Sequence, residues 1–178
     1  SVDTIQGKTT AGTVAMPAGM IIQTVNSIKT DSSSHNTQNF SDTGLQAVIT
    51  PKFATSKILI SSFCGIVSFS NNNIGKLGLA RVIGGTTTYP CTTTGGGLGQ
   101  SDSATQVTAG FNFGVEDDRT NDTWVCSFLD SPATTSEITY KVQIAHITTS
   151  SGTIQFNKWL QDNNKSGVAF LTLQEVKQ

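Results

Sequence analysis

The chain has 178 residues and a formal net charge of −1, and only 13% of its residues are Asp, Glu, Lys or Arg. An average soluble domain carries about 25% charged residues, so Thr, Ser, Asn, Gln and Gly supply most of the polar surface here. This balance excludes the basic surface of a nucleic-acid-binding domain, and the apolar runs are too short for insertion into a membrane.

The first segment, residues 1–18, is rich in Gly, Thr, Pro and Ala and shows no regular alternation. Its Gly and Pro content is incompatible with a long helix, and it is too apolar for a solvated tail. We interpret it as an extended arm that attaches residues 19–178, a single β domain, to a neighbouring subunit or a larger assembly. The residues expected to make the arm contacts are Val2, Ile5, Val14 and Met16.

From residue 19 onward, apolar and polar residues alternate with a period of two, which is typical of β-strands. Turn-forming clusters separate the alternating runs, which predict about nine or ten short strands. The runs are residues 20–29, 44–50, 56–70, 75–83, 108–115, 123–130, 137–147, 152–160 and 167–176. With no helices between them, these strands predict an antiparallel sandwich, jelly roll or barrel.

Several runs have one apolar face, which we expect to point into the core. These inward residues are Leu77, Leu79, Ile83, Trp124, Cys126, Phe128, Ile138, Tyr140, Val142, Ile144, Ile154, Phe156 and Leu160. Of the remaining cysteines, Cys64 is expected to be a small buried side chain and Cys91 a free thiol in a loop. The odd number and wide spacing of cysteines argue against a disulfide framework and favour folding in a reducing compartment.

Two runs are apolar on both faces. In residues 56–70, one face carries Ile58, Ile60, Ser62, Cys64 and Ile66, and the other carries Leu59, Phe63, Val67 and Phe69. Residues 167–176 show the same pattern. Such strands need cover on both sides, so we expect one face to contact the core and the other to contact neighbouring subunits.

No pattern in the sequence predicts catalysis, a cofactor or a metal site. The motifs HExxH, CxxC and GxSxG are absent. His35 is expected to be solvated in a long loop, residues 30–42, and His146 to fill space within a strand. The acidic cluster is interpreted as a hydrated turn, with a calcium site as the alternative; its carboxylates are Glu116, Asp117, Asp118 and Asp122.

Particular stretches of the chain resemble a module of virion structural and tail-fibre proteins from marine bacteriophages, especially cyanophages. They are "VDTIQGKTTAGTVAMPAGMIIQTV", "FSDTGLQAVITPKFATSKILISS", "FLDSPATTSEITYKVQ" and the closing "FLTLQEV". The resemblance implies a jelly-roll β-sandwich like those of trimeric fibre heads and tumour-necrosis-factor-like domains. It also implies a virion appendage without catalysis, assembled in the host cytoplasm.

The resemblance and the two-sided strands Ile58–Phe69 and Val168–Val176 together predict a homotrimer joined to other virion proteins through the arm. The first interpretation of its role is a tail-fibre or tail-tip protein that binds a host-surface glycan or lipopolysaccharide by multivalent contacts. The loop residues expected to touch the receptor are Asn71, Asn72, Asn73, Tyr89, Thr92, Thr93 and Thr94.

Other interpretations of the role stay open. A capsid decoration or head-fibre protein would have a purely structural role. A polysaccharide depolymerase is disfavoured, because glycoside hydrolysis needs two acids that face one cleft and the sequence marks no such pair. Exposed aromatics fit either a ligand or a neighbour: Tyr89 suits stacking on a sugar, whereas packing against another subunit is favoured for Trp159.

Overall fold

The computed structural model describes residues 17–70, 75–90, 119–146, 153–159 and 166–178. Within these residues every regular element is a β-strand, which confirms the predicted all-β class. The strands are β1 (Ile21–Lys29), β2 (Ser33–His35), β3 (Ser41–Ile49), β4 (Lys57–Ser70), β5 (Gly75–Ile83), β6 (Thr86–Thr88), β7 (Arg119–Asp130), β8 (Ile138–His146), β9 (Ile154–Phe156) and β10 (Ala169–Val176).

The strands form two antiparallel sheets. The six-stranded sheet has the order β1-β10-β4-β9-β2, with β7 paired to β4, and the four-stranded sheet has the order β3-β8-β5-β6. The pairs are nested along the chain: β1 with β10, β3 with β8, β4 with β7, and β5 with β6. A long hairpin rolled up in this way is a jelly roll, so the predicted jelly-roll sandwich is confirmed.

The core lies between the sheets and is built from the inward residues of the alternating runs. Strands β7 and β8 bury the side chains that their apolar faces predict, among them Trp124, Cys126, Ile138, Tyr140, Val142 and Ile144. Cys64 and Cys126 are both buried, and burial raises the pKa of the Cys64 thiol to about 12. The cysteines that the structure describes therefore act as small apolar side chains, as predicted.

A buried carboxylate joins the two sheets at one end. Asp130, at the end of β7, accepts hydrogen bonds from Arg81 Nη1 at 2.9 and 2.8 Å and from Tyr140 Oη at 2.6 Å. Arg81 and Tyr140 belong to the four-stranded sheet, in β5 and β8. Burial and the hydrogen bond to Asp130 raise the pKa of the Tyr140 phenol, which keeps it a donor in this link.

A β-bulge in β4 changes which residues face the core. The register between β4 and β7 shifts between Cys64 and Val67, and Val67 is only 1% exposed. The prediction that Val67 lies on the face opposite Cys64 is therefore wrong, because the extra residue of a bulge interrupts the period of two.

The predicted loop at residues 30–42 contains strand β2, which pairs with β9. His35, the last residue of β2, is buried. Its ring nitrogens Nε2 and Nδ1 are hydrogen-bonded to Ser33 Oγ at 2.9 Å and to Ser41 Oγ at 2.7 Å. The expectation of a solvated His35 is wrong, since pairing with a strand far along the chain buries it. His146 is buried in β8, as predicted.

Candidate functional site

The outer face of the six-stranded sheet carries an apolar row. Ile28, Phe170, Phe63 and Val125 are consecutive cross-strand partners across β1, β10, β4 and β7. The rings of Phe63 and Phe170 are stacked, with centroids 5.4 Å apart and planes 21° apart. At the ends of the row, Ile28 is 64% exposed and Val125 is 58% exposed. Large apolar side chains that lie next to one another and are this exposed mark an interaction surface.

The next two outward rows across the same strands are uncharged. One row consists of Asn26, Thr172, Ser61 and Ser127, and the other of Thr24, Gln174, Leu59 and Leu129. We call the apolar row and these two rows the uncharged face. The outer faces of β4 and β10 are thus partly apolar, as the two-sided pattern predicts.

The outer face of the four-stranded sheet has a different chemistry, because a chain of polar side chains crosses it. Tyr89 Oη donates to Gln143 Oε1 at 2.9 Å, and Gln143 Nε2 donates to Asp42 Oδ1 at 2.6 Å. Lys141 Nζ donates to Asp42 Oδ2 at 2.7 Å. The bonds join β3, β8 and the segment after β6, so residues far apart in the sequence are fixed relative to one another.

An aromatic pair lies beside this polar chain. The Phe40 and Tyr89 ring centroids are 5.5 Å apart with an interplanar angle of 32°, and both residues are partly buried. Lys76 Nζ lies 5.3 Å from the centroid of the Phe40 ring, within the range of a cation–π interaction. We call the aromatic pair, the polar chain and this lysine the Phe40–Tyr89 cluster; its members are Phe40, Asp42, Lys76, Tyr89, Lys141 and Gln143.

The environment fixes the protonation states in this cluster. Burial acts to raise the pKa of Asp42, but hydrogen bonds from Lys141 and Gln143 outweigh it and lower that pKa overall. Burial, followed by the charge of Asp42, raises the pKa of the Tyr89 phenol. The cluster therefore presents a carboxylate acceptor from Asp42 and a neutral phenol from Tyr89.

The strand surface between these side chains carries small residues. In the register of β5 and β8, Gly78 lies opposite Gln143 and Ala80 lies opposite Lys141. Ala80 and Ala145 occupy outward positions of their strands yet are fully buried. The sheet surface at these two alanines is therefore shielded from solvent, in contrast to the half-exposed apolar row on the other sheet.

Among the predicted receptor contacts, Tyr89 is the residue that the structure describes. The others lie outside the described residues; they are Asn71, Asn72, Asn73, Thr92, Thr93 and Thr94. The hydroxyl of Tyr89 is bound to Gln143 and its ring contacts Phe40, so Tyr89 belongs to a sheet-face cluster and not to a free loop. Trp159 is partly buried.

Sequence reasoning missed the partners of Tyr89 in the cluster. They come from β3, β5, β8 and the residue before β3, and no local motif joins them. The available signal was the alternation in residues 137–147, which placed Lys141 and Gln143 on the outer face of their strand. The alternation gave no indication of Phe40, because that residue lies just before β3 and outside the alternating run.

Several other predictions fall outside the described residues. They concern the arm contacts Val2, Ile5, Val14 and Met16, the predicted strand at 108–115, Cys91, and the acidic residues Glu116, Asp117 and Asp118. The end of the predicted acidic turn, from Arg119 to Asp122, forms the start of β7. Among the described residues, no group of three or more His, Cys, Asp or Glu side chains is arranged to hold a metal ion. In the same part of the chain, no helix has the length and apolarity needed to cross a membrane.

Comparisons with known proteins find similar chains among solved structures. No protein-family model matches the chain, and no curated protein sequence matches it. A chain in the structure of infectious bursal disease virus, Gx strain, is similar with a TM-score of 0.41 and 14% sequence identity. The match covers 92% of this chain and 42% of that chain. The assignment of a jelly roll rests on the strand order described above and not on this similarity.

Proposed function

We propose that the protein is a virion structural protein, a homotrimeric tail-fibre or tail-tip appendage that contributes to binding of the host surface and has no catalytic activity. The sequence resemblance to phage virion modules supports the location on a virus particle. The main support for association of subunits is the uncharged face of the six-stranded sheet. It offers an apolar row that the chain leaves half exposed.

Burial of the apolar row would stabilise a contact between subunits. Each half-exposed large side chain that loses its remaining solvent contact contributes about 1 kcal/mol. The row runs through Ile28, Phe170, Phe63 and Val125, and the pre-stacked phenylalanine rings lose little side-chain freedom on binding. A small subunit contact centred on this row would therefore be favourable.

The occupant that suits this face is a second copy of the chain. Its three rows contain no charged residue, so copies of this face can converge on a three-fold axis without repulsion between like charges. The cores of subunit interfaces are depleted of charged residues in the same way. Closed symmetry is the usual outcome of such self-association, and the choice of a trimer follows the sequence resemblance.

The oligomeric state of the full chain tests the assembly. We expect sedimentation velocity at micromolar concentration to show a trimer. The single substitutions Ile28→Glu and Val125→Glu place a charge in the apolar row and should yield folded monomers, with an unchanged β-sheet circular dichroism spectrum. The matched control is Val48→Glu, which changes a residue with 41% exposure on the four-stranded sheet and should leave the trimer intact.

A monodisperse wild-type monomer would contradict the proposed trimer, and trimers of both glutamate variants would contradict the apolar row as the subunit contact. The host-binding part of the proposal needs a separate measurement. The purified trimer should adsorb to host cells and reduce infection when it is added before the phage. A trimer that neither adsorbs nor competes would restrict the protein to a structural role on the particle.

A further inference from the structure

We propose that the Phe40–Tyr89 cluster is a carbohydrate-binding site on the outer face of the four-stranded sheet. The inference rests on the proposed function, since it assigns the ligand class and the residues of the host-binding surface. The sequence interpretation placed the receptor contacts in loops, whereas this site lies on and beside the strands of the four-stranded sheet. Of the predicted loop residues, the site includes Tyr89.

The aromatic pair supplies an apolar surface of the kind that sugars use. A pyranose ring exposes a patch of C–H groups on its face and hydroxyl groups around its edge, so it needs an aromatic surface with polar groups beside it. Phe40 and Tyr89 lie 5.5 Å apart, and both are partly exposed to solvent. Aromatic rings with a few fixed polar groups are typical of small-ligand sites.

Asp42 and Lys141 supply the hydrogen-bonding groups for sugar hydroxyls. The side chain of Asp42 is 45% exposed and that of Lys141 is 26% exposed. An ionised carboxylate accepts about four hydrogen bonds and an ammonium donates three, so both groups keep capacity beyond the bonds they form within the chain. A hydroxyl both donates and accepts, and this carboxylate–ammonium pair meets both needs.

Gln143 holds the site in its binding conformation before a ligand arrives. It is only 9% exposed, and its amide binds the Tyr89 hydroxyl on one side and Asp42 on the other. The aromatic ring and the carboxylate are therefore fixed at a constant separation. Side chains already ordered in the free protein lose less entropy on binding, which favours specific recognition of a weakly binding ligand.

The charge of the cluster indicates the kind of glycan. The carboxylate of Asp42 is neutralised by Lys141, while Lys76 adds a positive charge over the Phe40 ring. The balance favours glycans that carry carboxylate or phosphate groups over neutral ones. Bacterial capsular polysaccharides and lipopolysaccharides include acidic and neutral glycans, so the binding of the two kinds can be compared.

The test uses the full chain on an array of purified bacterial capsular polysaccharides and lipopolysaccharides. We expect wild-type protein to bind a subset of them, acidic glycans above neutral ones. Tyr89→Ala and Lys141→Gln should each weaken that binding at least tenfold, and Tyr89→Phe, which keeps the ring, should have a smaller effect. Val48→Ala, on the same face but outside the cluster, is the matched control and should bind like wild type.

The thermal midpoint of each variant is measured on the same samples. If Tyr89→Ala does not fold, Lys141→Gln carries the test, because it removes a positive charge from a partly exposed side chain and keeps a polar group there. Binding to no polysaccharide on the array would overturn the proposal, as would full binding by both variants. Sedimentation of the same samples keeps the two proposals apart: a trimer without glycan binding contradicts the site alone, and a glycan-binding monomer contradicts the trimer alone.

Discussion

At the scale of single residues, basic side chains meet at one end of the sandwich. Lys29 and His35 are buried on β1 and β2, and His146 is buried on β8. Lys29 is paired with Asp31, with 2.7 Å between Nζ and Oδ2. Burial lowers the pKa of His35, and the charges of Lys29 and His146 lower it further. The folded protein therefore favours the neutral form of His35.

This arrangement predicts a loss of stability in mild acid. The ordinary His pKa of 6.5 applies to the unfolded chain and the folded value is lower, so the unfolded state takes up the proton first as the pH falls. The contribution of His35 is fully present above pH 6.5 and is lost as the pH falls toward the folded pKa. Urea unfolding midpoints at pH 7.5, 6.0 and 5.0 measure this decline, which should be shallower in His35→Asn and in Lys29→Met.

Ser34→Ala is the control for this prediction, since it changes an exposed residue of the same strand and removes no titratable group. It should show the wild-type dependence on pH. A decline in His35→Asn as steep as in wild type would show that other groups set the acid sensitivity.

At the scale of the elements, Gly65 lies at the bulge that brings Val67 into the core. Its backbone N–H donates to the Val168 carbonyl at 3.2 Å, and its carbonyl accepts from Thr123 Oγ1 at 3.1 Å. A Cβ at Gly65 would lie 2.9 Å from the Val168 carbonyl oxygen. The bulge thus depends on a residue that has no side chain.

Gly65→Ala should therefore destabilise the protein. The added methyl group meets backbone, so β4 or the segment before β10 must shift, and we expect the free energy of unfolding to fall by about 1–3 kcal/mol. Urea unfolding measures the change. Ser61→Ala, on the outer face of the same strand, is the control and should stay within about 0.5 kcal/mol of wild type. Equal stability of Gly65→Ala and wild type would contradict a tight approach at the bulge.

The long strands could be predicted from the sequence, whereas the short strands β2 and β6 could not. Burial alternates along β3 and over the first half of β8, and the period of two identified these strands and β7, with the inner faces of β7 and β8. Strand β9 ends at Phe156, earlier than its alternation predicts, because Asn157 adopts a positive φ of 58°. Asn tolerates that conformation, and Asn157 Nδ2 donates to the Lys29 carbonyl at 2.9 Å. A tertiary hydrogen bond of this kind leaves no local pattern in the sequence.

The candidate site could likewise be predicted only in part, because contacts between distant strands leave no local pattern in the sequence. Alternation placed Leu59 and Phe63 together on one of two apolar faces of their strand without showing which face points outward, so the uncharged face could be predicted only in part. The complete row could not, because it depends on the register that places Ile28 beside Phe170 and Val125 beside Phe63. The Phe40–Tyr89 cluster depends on register and loop closure together, and for that reason only Tyr89 was found.

At the scale of the whole molecule, the jelly roll separates two surfaces. The uncharged face and the Phe40–Tyr89 cluster lie on the outer faces of different sheets, with the core between them. The proposed trimer buries the first face and leaves the cluster outside the subunit contact. The proposed glycan sites of one particle would then act together, which would raise the overall affinity without any new contact.

We propose that the arm, residues 1–18, links the domain to the particle. The described chain starts at Pro17, and the segment before β1 is joined to the C-terminal segment by bonds from Gly19 N to Lys177 O and from Lys177 N to Met20 O. Within the described residues, the core is formed by side chains from Val25 onward. A truncation before Pro17 therefore keeps these contacts in place.

Deletion of residues 1–16 should leave the β domain folded and prevent its incorporation into particles. The deletion removes Val2, Ile5, Val14 and Met16, the apolar residues expected to contact other virion proteins, but none of the buried side chains described in the two sheets. We expect an unchanged β-sheet circular dichroism spectrum, a similar thermal midpoint, and loss of the protein from purified virions in a complementation assay. Replacement of the same residues by a Gly/Ser segment of equal length separates the arm's contacts from its length and should also fail to incorporate. Normal incorporation of either variant would show that the arm is not the attachment element.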